Sequence, residues 1–224
     1  MRKKPVVTID GPAGAGKSTI SKLVASRFSF FYLDTGALYR ALAYLVDEHP
    51  GEITDKIAAE ISRDARIEAG NEDGIFRISA NGRDVSTLIR SEKIGLLASK
   101  ISAIPAVRQN LLGIQRKIGA GGGVVAEGRD MGTVVFPDAE VKFYLEASVH
   151  ERARRRYREL IAKNEPVNLM GVEEDIINRD RQDTERAIAP LAIPRDAVVI
   201  DTTCKSISEV VESMAAAIER RLNS

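Results

Sequence analysis

The 224-residue chain contains no tryptophan, one cysteine and two histidines, and its formal net charge is only +1. A single cysteine excludes an internal disulfide framework and a zinc site built from cysteines, so we expect Cys204 to be a small buried residue. The near balance of 33 basic and 32 acidic residues argues against a broad surface for nucleic acid or membranes. The two histidines, His49 and His150, lie in no recognisable catalytic setting.

The chain also lacks a long apolar run. The N-terminal stretch MRKKPVVTID is interrupted at Asp10, which makes its apolar part too short for a signal peptide or a membrane span. We therefore expect a cytoplasmic protein without a membrane partner, and a monomer. Hydrophobic residues make up 44% of the chain, enough for one α/β core with a small inserted unit.

The stretch TIDGPAGAGKST, from Thr8 to Thr19, has the spacing of a P-loop, GxxxxGK followed by Ser or Thr. An apolar strand is predicted before it at Val6–Ile9 and a helix after it at Ser18–Ser26. An ordinary glycine-rich turn would not require this strand, spacing and helix together. The segment predicted to bind ATP consists of Gly11, Pro12, Ala13, Gly14, Ala15, Gly16, Lys17, Ser18 and Thr19.

Phosphate binding explains these residue types. Glycines allow backbone N–H groups to approach an anion, and the start of a helix adds partial positive charge. Lys17 can then reach the β- and γ-phosphates, while the Ser18 hydroxyl can ligate Mg²⁺.

Strands and helices alternate in the rest of the chain, which is typical of an open parallel sheet. Further strands are predicted at 30–33, 124–127, 141–145 and 197–200, and helices at 35–46, 91–102, 105–118 and 206–222. Residues 62–101 differ, because short antiparallel strands at 66–68, 74–79 and 83–85 indicate an insertion with a hairpin turn at Asn81 and Gly82. The glycine run 119–123 is interpreted as a helix stop rather than a second phosphate loop.

Polar residues follow several predicted strands at the edge where open parallel sheets bind ligands. Asp34 and Thr35 lie at one such junction, where either could simply cap the following helix. Arg40 lies one turn into that helix. Arg129 and Asp130 follow the strand at 124–127 directly.

Arginines are concentrated in two later segments. Five of them lie between Arg152 and Arg158. Such a run usually forms a solvated helix face, but binding a phosphate would relieve the repulsion between these arginines. The polar loop 163–171 is a plausible lid. The following helix, predicted to include INRDRQDTERAIAPL, places Arg179, Asp183 and Arg186 on one face, which a surface ion-pair ladder would also explain.

The combination of motifs resembles the bacterial cytidylate kinase family, over nearly the whole chain. The motifs, in chain order, are IDGPAGAGKST, LDTGALYR, NGRDVS with IRSEKI, AIPAVRQNLLGIQR, EGRDMGTVVFPDA and RDRQDTERAIAPL. The resemblance implies a P-loop NTPase-type three-layer α/β fold with a five-stranded parallel sheet. It also implies a core at 1–61 and 102–224, a lid at about 157–172, and an inserted α+β monophosphate-binding region at 62–101.

By the same resemblance, the enzyme would transfer a phosphoryl group from ATP, with Mg²⁺, to CMP or dCMP in pyrimidine nucleotide metabolism. Residues matching the family's substrate site are Thr35, Arg40, Ser99, Arg108, Arg129, Asp130, Arg179, Asp183 and Arg186. Ser99, Arg108 and Asp130 would contact cytosine; Arg40, Arg129 and Arg186 would bind phosphate; Arg179 and Asp183 would reach the sugar. Thr35 stands where the family often has Ser, and Ser102 replaces a common Ala near the base.

The predicted chemistry is in-line attack by a CMP phosphate oxygen on the γ-phosphorus of ATP. Stabilisation of the transferring group is assigned to Lys17, Arg155, Arg156, Arg129 and Arg186. The alternatives are a related P-loop kinase for UMP or another small acceptor, and a P-loop switch ATPase whose turnover needs no monophosphate.

Overall fold

The computed structural model describes residues 4–72 and 75–223. Five parallel strands form the central sheet in the order β2, β6, β1, β7, β8. Their bounds are β1 Val6–Asp10, β2 Phe31–Asp34, β6 Val124–Gly128, β7 Val141–Glu146 and β8 Val198–Asp201. The inner strands are runs of apolar residues because both faces of the sheet are covered, and this confirms the predicted fold class.

Eight α-helices connect and cover the strands of the described chain. Helix α1 packs against α8, whereas α2 packs against α3, α4 and α5. Their bounds are α1 Lys17–Phe28, α2 Thr35–Asp47, α3 Asp55–Asp64, α4 Glu92–Ile101, α5 Pro105–Gly119, α6 Val149–Ala162, α7 Leu169–Glu185 and α8 Ile207–Leu222. The helix α5 ends at Gly119, as the glycine run predicts.

A second sheet contains three antiparallel strands in the order β3, β4, β5. The strands are β3 Ile67–Glu72, β4 Ile75–Ala80 and β5 Arg83–Asp84, with Asn81 and Gly82 in the left-handed region between the last two. The predicted start of the middle strand at Gly74 lies outside the described residues. The division of the chain into a core, an insert and a lid stays a prediction.

The helices α6 and α7 form a hairpin with its own apolar cluster, separate from the main core. The buried side chains of this cluster are Ala153, Leu160, Val172 and Ile176. We call the segment 149–185 the arm. The connection between its helices, residues 163–168, covers most of the predicted lid loop 163–171, whose last three residues instead begin α7.

Two features contradict the sequence predictions, and one helix was not predicted at all. The helix α7 ends at Glu185, so AIAPL is not helical; Pro190 disfavours helix at Ala189, whose φ is 49°. Cys204 is exposed, which contradicts the expectation of a buried residue: it lies in the loop after β8. The helix α3 was not predicted.

Gly11 is required where the P-loop leaves β1. Its φ is +145°, and an added Cβ would lie 2.0 Å from the carbonyl oxygen of Leu145. Gly51 has a similar φ of +127°, but within 4 Å its added Cβ would meet nothing in the described residues. A comparison of substitutions at the two glycines therefore separates the cost of backbone strain from the cost of a steric clash.

We predict that Gly51→Ala lowers the free energy of unfolding by about 1–2 kcal/mol through backbone strain alone. Gly11→Ala should cost about 1–3 kcal/mol more, because the loop must also move away from Leu145. Urea denaturation of both variants measures the difference. Equal losses would show that the loop absorbs the added methyl group without cost.

Candidate active site

The predicted phosphate loop connects β1 to α1 and is shaped by three glycines with positive φ: Gly11, Gly14 and Gly16. Lys17, the first residue of α1, is buried, and its Nζ donates to the carbonyl oxygen of Pro12 at 2.6 Å. Burial lowers the pKa of Lys17 well below its ordinary value, and Arg129 lowers it further. A phosphate group close to this ammonium would oppose both effects, because it stabilises the charged form.

The carboxylate of Glu127, at the end of β6, lies directly below the loop. It accepts from the Ser18 hydroxyl at 3.0 Å and from the Tyr32 hydroxyl. Burial, followed by the nearby charge of Asp34, raises the pKa of Glu127. The Thr35 hydroxyl donates to the backbone carbonyl of Glu127 at 2.6 Å, so Glu127 connects β2, β6 and α1.

Mg²⁺ is compatible with this arrangement. The hydroxyl of Ser18 and the carboxylate of Glu127 supply the oxygen donors that Mg²⁺ prefers, and one or two such groups plus substrate phosphates complete its usual shell. Within residues 4–72 and 75–223 no group of three His, Cys, Asp or Glu side chains could hold a metal by itself.

Asp10 joins the phosphate loop to the turn that carries Arg129 and Asp130. Its carboxylate is buried and accepts from the backbone N–H groups of Met131 and Gly132, each at 2.8 Å. Burial raises the pKa of Asp10 to about 6. These bonds hold the start of a π-helical turn, Met131–Val135, beside β1.

An arginine–aspartate cluster lies at the carboxyl end of β6. Its residues come from α5, the turn after β6, the C-terminal part of α7 and the position directly after α7. They are Arg108, Arg129, Asp130, Arg179, Asp183 and Arg186, all predicted to bind substrate. Asp183 is buried, and Arg179 and Arg186 are only partly exposed, which argues against the surface ion-pair ladder. Within the described chain the cluster itself contains four guanidinium groups and two carboxylates, so it carries an excess of positive charge.

The two carboxylates fix the geometry of the cluster. Asp130 pairs with Arg108, and its other oxygen lies 3.8 Å from Arg186. Asp183 accepts from Nε of Arg129 at 2.7 Å and lies 3.8 Å from Arg186. Burial, the largest single influence, would raise the pKa of Asp183, but the charges of Arg129, Arg179 and Arg186 and the hydrogen bond from Arg129 together hold the pKa below its usual value.

Arg179 is the cation with the poorest compensation. Its Nε is shielded from solvent and has no hydrogen-bond partner in the described chain. Burial, and then the charge of Arg129, lower the pKa of Arg179 to about 10. This guanidinium is well suited to an anion or to the hydroxyl groups of a sugar.

The remaining predicted substrate residues lie on the helices around the cluster. Asp34 caps α2 by accepting from Ala37 N at 2.9 Å, whereas Thr35 is bonded to Glu127. Arg40 donates to the carbonyl oxygens of Ile89 and Ser91 at 3.1 and 3.3 Å, at the start of α4. The carbonyl oxygen of Ser99 accepts from the hydroxyl of Ser102.

The five arginines of α6 do not share one environment. Arg152 is buried, whereas Arg154 and Arg158 are exposed. Arg155 donates to the carbonyl oxygen of Thr202 at 2.6 Å and pairs with Glu151 at 3.1 Å. Its Nη1 would lie 3.8 Å from a Cβ on Gly16, beside the phosphate loop.

Arg156 points instead towards the predicted insert. It pairs with Glu92 at the start of α4 at 2.6 Å and with Glu159 at 3.3 Å. Of the two α6 arginines predicted to stabilise the transferring phosphoryl group, Arg155 therefore lies at the loop and Arg156 bridges the arm to α4.

Sequence reasoning did not single out Asp10, Tyr32 or Glu127. Asp10 and Glu127 are carboxylates that end apolar strands immediately before GP and GRD motifs, and an ionisable residue at that position was a usable signal. The contact of Tyr32 with Glu127 joins neighbouring strands and has no local pattern.

The known proteins that resemble this chain are kinases. The cytidylate kinase family model matches residues 7–220. A cytidylate kinase of Citrifermentans bemidjiense is 52% identical over 97% of this chain and 94% of its own length. One from Geobacillus sp. (strain WCH70) is 42% identical over 99% of this chain and all of its own length. A gluconokinase structure from Sinorhizobium meliloti has a TM-score of 0.52 and 13% identity, covers 98% of this chain and 94% of its own, and supports the fold.

We predict opposite stability changes for two arginines of the cluster. A lowered pKa for a base means that folding disfavours its charge, so the Arg179 charge opposes folding at pH 7. Arg179→Met should therefore raise the free energy of unfolding by about 1 kcal/mol. Arg129→Met should lower it by about 3 kcal/mol, because Asp183 loses its 2.7 Å partner.

Urea denaturation at pH 7 tests both variants. The loss of stability expected for Arg129→Met is at the low end of the range for leaving a buried charge unpaired. The reason is that Arg186 remains 3.8 Å from Asp183. Destabilisation by Arg179→Met as large as that by Arg129→Met would contradict the charge excess in the cluster.

Proposed function

The chain belongs to the cytidylate kinase family, and from this premise we propose that it transfers the γ-phosphoryl group of ATP to CMP or dCMP. The products are ADP and CDP or dCDP. The observation that carries the proposal is the cluster of four guanidinium groups and two carboxylates beside the phosphate loop. Its surplus positive charge complements the phosphate of a nucleotide.

The donor nucleotide binds at the phosphate loop, residues 11–19. The backbone N–H groups and Lys17 bind its β- and γ-phosphates, and Ser18 with Glu127 holds Mg²⁺. Mg²⁺ held by Ser18 and Glu127 would supply positive charge that offsets the charge of the phosphates. The Glu127–Tyr32 bond orients the carboxylate for this purpose.

The acceptor nucleotide binds across the arginine–aspartate cluster. Asp130, fixed by Arg108, accepts a hydrogen bond from the exocyclic amine of cytosine, together with Ser99. Arg40, Arg129 and Arg186 bind the phosphate, because guanidinium groups can each bond two phosphate oxygens. Arg179 and Asp183 reach the sugar, and Thr35 lines the same site.

The reaction is a direct in-line transfer. An oxygen of the CMP phosphate forms a bond to the γ-phosphorus as the bond from that phosphorus to the bridging oxygen of ADP breaks. No strong general base is needed, because the attacking phosphate oxygen is already ionised at neutral pH. Lys17, Arg129 and Arg186 stabilise the charge that develops on the transferring group.

Arg155 and Arg156 complete the site when the arm closes. Both are engaged by protein groups, Arg155 by Thr202 and Glu151 and Arg156 by Glu92 and Glu159. Closure exchanges these partners for phosphate oxygens and excludes water from the transferring group.

Within the described residues, no helix is both long enough and apolar enough to span a membrane.

The proposal predicts which acceptor stimulates ATP turnover. ADP release, coupled to a spectroscopic readout, is measured with CMP, dCMP, UMP, AMP or GMP in the presence of ATP and Mg²⁺. CMP and dCMP should stimulate strongly and the others weakly. Stimulation by UMP or another acceptor alone would identify a related kinase, and equal slow turnover with or without any monophosphate would indicate a switch ATPase.

Base recognition by Asp130 makes a second prediction. Asp130→Ala should reduce the preference for CMP over UMP by about 10²-fold or more, because the partner of the cytosine amine is lost. The KM for ATP should change far less. Asp130→Asn offers an amide N–H to the uracil carbonyl and should shift the preference further towards UMP.

The steady-state kcat/KM of each variant with both nucleotides measures this preference. The exposed Asp138 provides a matched control, since Asp138→Ala removes a nearby carboxylate outside the cluster. Retention of the full CMP preference by Asp130→Ala would refute the assigned contact with cytosine.

A further inference from the structure

Arg152 is the one buried member of the arginine run on α6, with 4% of its surface exposed. Its guanidinium contacts three separate parts of the chain. Nη1 donates to the carbonyl oxygen of Ala13 at 3.1 Å, Nε donates to the carbonyl oxygen of Ala147 at 2.9 Å, and Nη2 pairs with Asp180 at 2.7 Å. A lysine could not make these three contacts with one ammonium group.

The first contact lies at the back of the phosphate loop. Ala13 is inside the segment that binds the donor nucleotide, and the next residue, Gly14, packs directly on Arg152. A Cβ added to Gly14 would lie 2.9 Å from Cβ of Arg152. The position of the loop therefore depends on where Arg152 lies.

The contact with Asp180 lies on the acceptor side. Asp180 is on α7 between Arg179 and Asp183, two members of the arginine–aspartate cluster. Because the side chains of a helix move with its backbone, a shift of Asp180 also shifts these two residues. Arg152 thus bridges the donor loop and the helix that carries part of the acceptor site.

Stability alone is a weak explanation for this pair. Moving two charges out of water costs about as much free energy as their attraction returns, so an apolar pair of similar size is often as stable. The planar guanidinium does provide directed bonds to fixed points on three elements. These bonds suit a residue that fixes the position of the phosphate loop relative to α7.

We propose that Arg152 and Asp180 are positioning residues that couple the two nucleotide sites. This inference rests on the proposed function. Binding of the acceptor at Arg179 and Asp183 fixes α7, and the Arg152–Asp180 pair transmits that position to Ala13 in the phosphate loop. Each nucleotide therefore tightens the binding of the other, by the same factor in both directions.

Isothermal titration calorimetry tests the coupling directly. The Kd for CMP is measured with and without a saturating non-hydrolysable ATP analogue and Mg²⁺. In the unaltered protein the analogue should tighten CMP binding by at least about 5-fold, the lower end of ordinary coupling between sites. In Arg152→Met and in Asp180→Asn this factor should fall to within about 2-fold of unity. The double variant should lose no more than either single variant.

Three further measurements separate coupling from general damage. Arg181→Met neutralises the exposed arginine next to Asp180 and should keep the full coupling factor. Arg152→Lys should restore part of the coupling, because it keeps the charge opposite Asp180. In Arg152→Met the kcat should fall at least about 10-fold and the KM for CMP at saturating ATP should rise by about the coupling factor that is lost, whereas the Kd for CMP without the ATP analogue should change less than about 2-fold.

Several results would overturn the inference. They are a full coupling factor in Arg152→Met and Asp180→Asn, independent losses that add in the double variant, and no coupling in the unaltered protein. If Arg152→Met does not fold, the shape-preserving Asp180→Asn decides the question. Absence of CMP binding to the unaltered protein would refute the proposed function and this inference together, whereas CMP binding with unchanged coupling in the variants would refute only the inference.

Discussion

The charge imbalance next to the phosphate loop is the constraint on which this structure depends. Four guanidinium groups and Lys17 lie where little water can screen them, and in the described part of the chain Asp130 and Asp183 are the carboxylates that pair with these guanidinium groups. A fold must hold such groups together against their repulsion. The sheet does so by fixing the turn after β6 through Asp10, and α7 does so by presenting Asp183 to Arg129.

The same charge distribution connects stability with function. Arg129 stabilises the fold through Asp183, whereas Arg179 has no equally close carboxylate within the described residues. Selection for stability alone would not retain the poorly compensated charge of Arg179. It is consistent with a site that reaches its most favourable electrostatic state when an anion is bound.

Local patterns determined how much could be predicted from the sequence. The P-loop spacing, the apolar strands and the Asn81–Gly82 turn each depend on neighbouring residues, and all three were confirmed. The partners of Arg108, Arg129 and Arg152 could not be predicted, because they depend on the packing of elements far apart in the chain. The predicted end of α7 is too late, because Pro190 disfavours helix at the residue before it.

The exposure of Cys204 has a practical consequence. It is the only thiol in the sequence and lies two residues after Thr202, whose carbonyl oxygen accepts from Arg155. A fluorescent dye or spin label can therefore be attached there without first removing competing cysteines. The natural sequence thus offers a single spectroscopic reporter beside the loop that holds one of the arm's arginines.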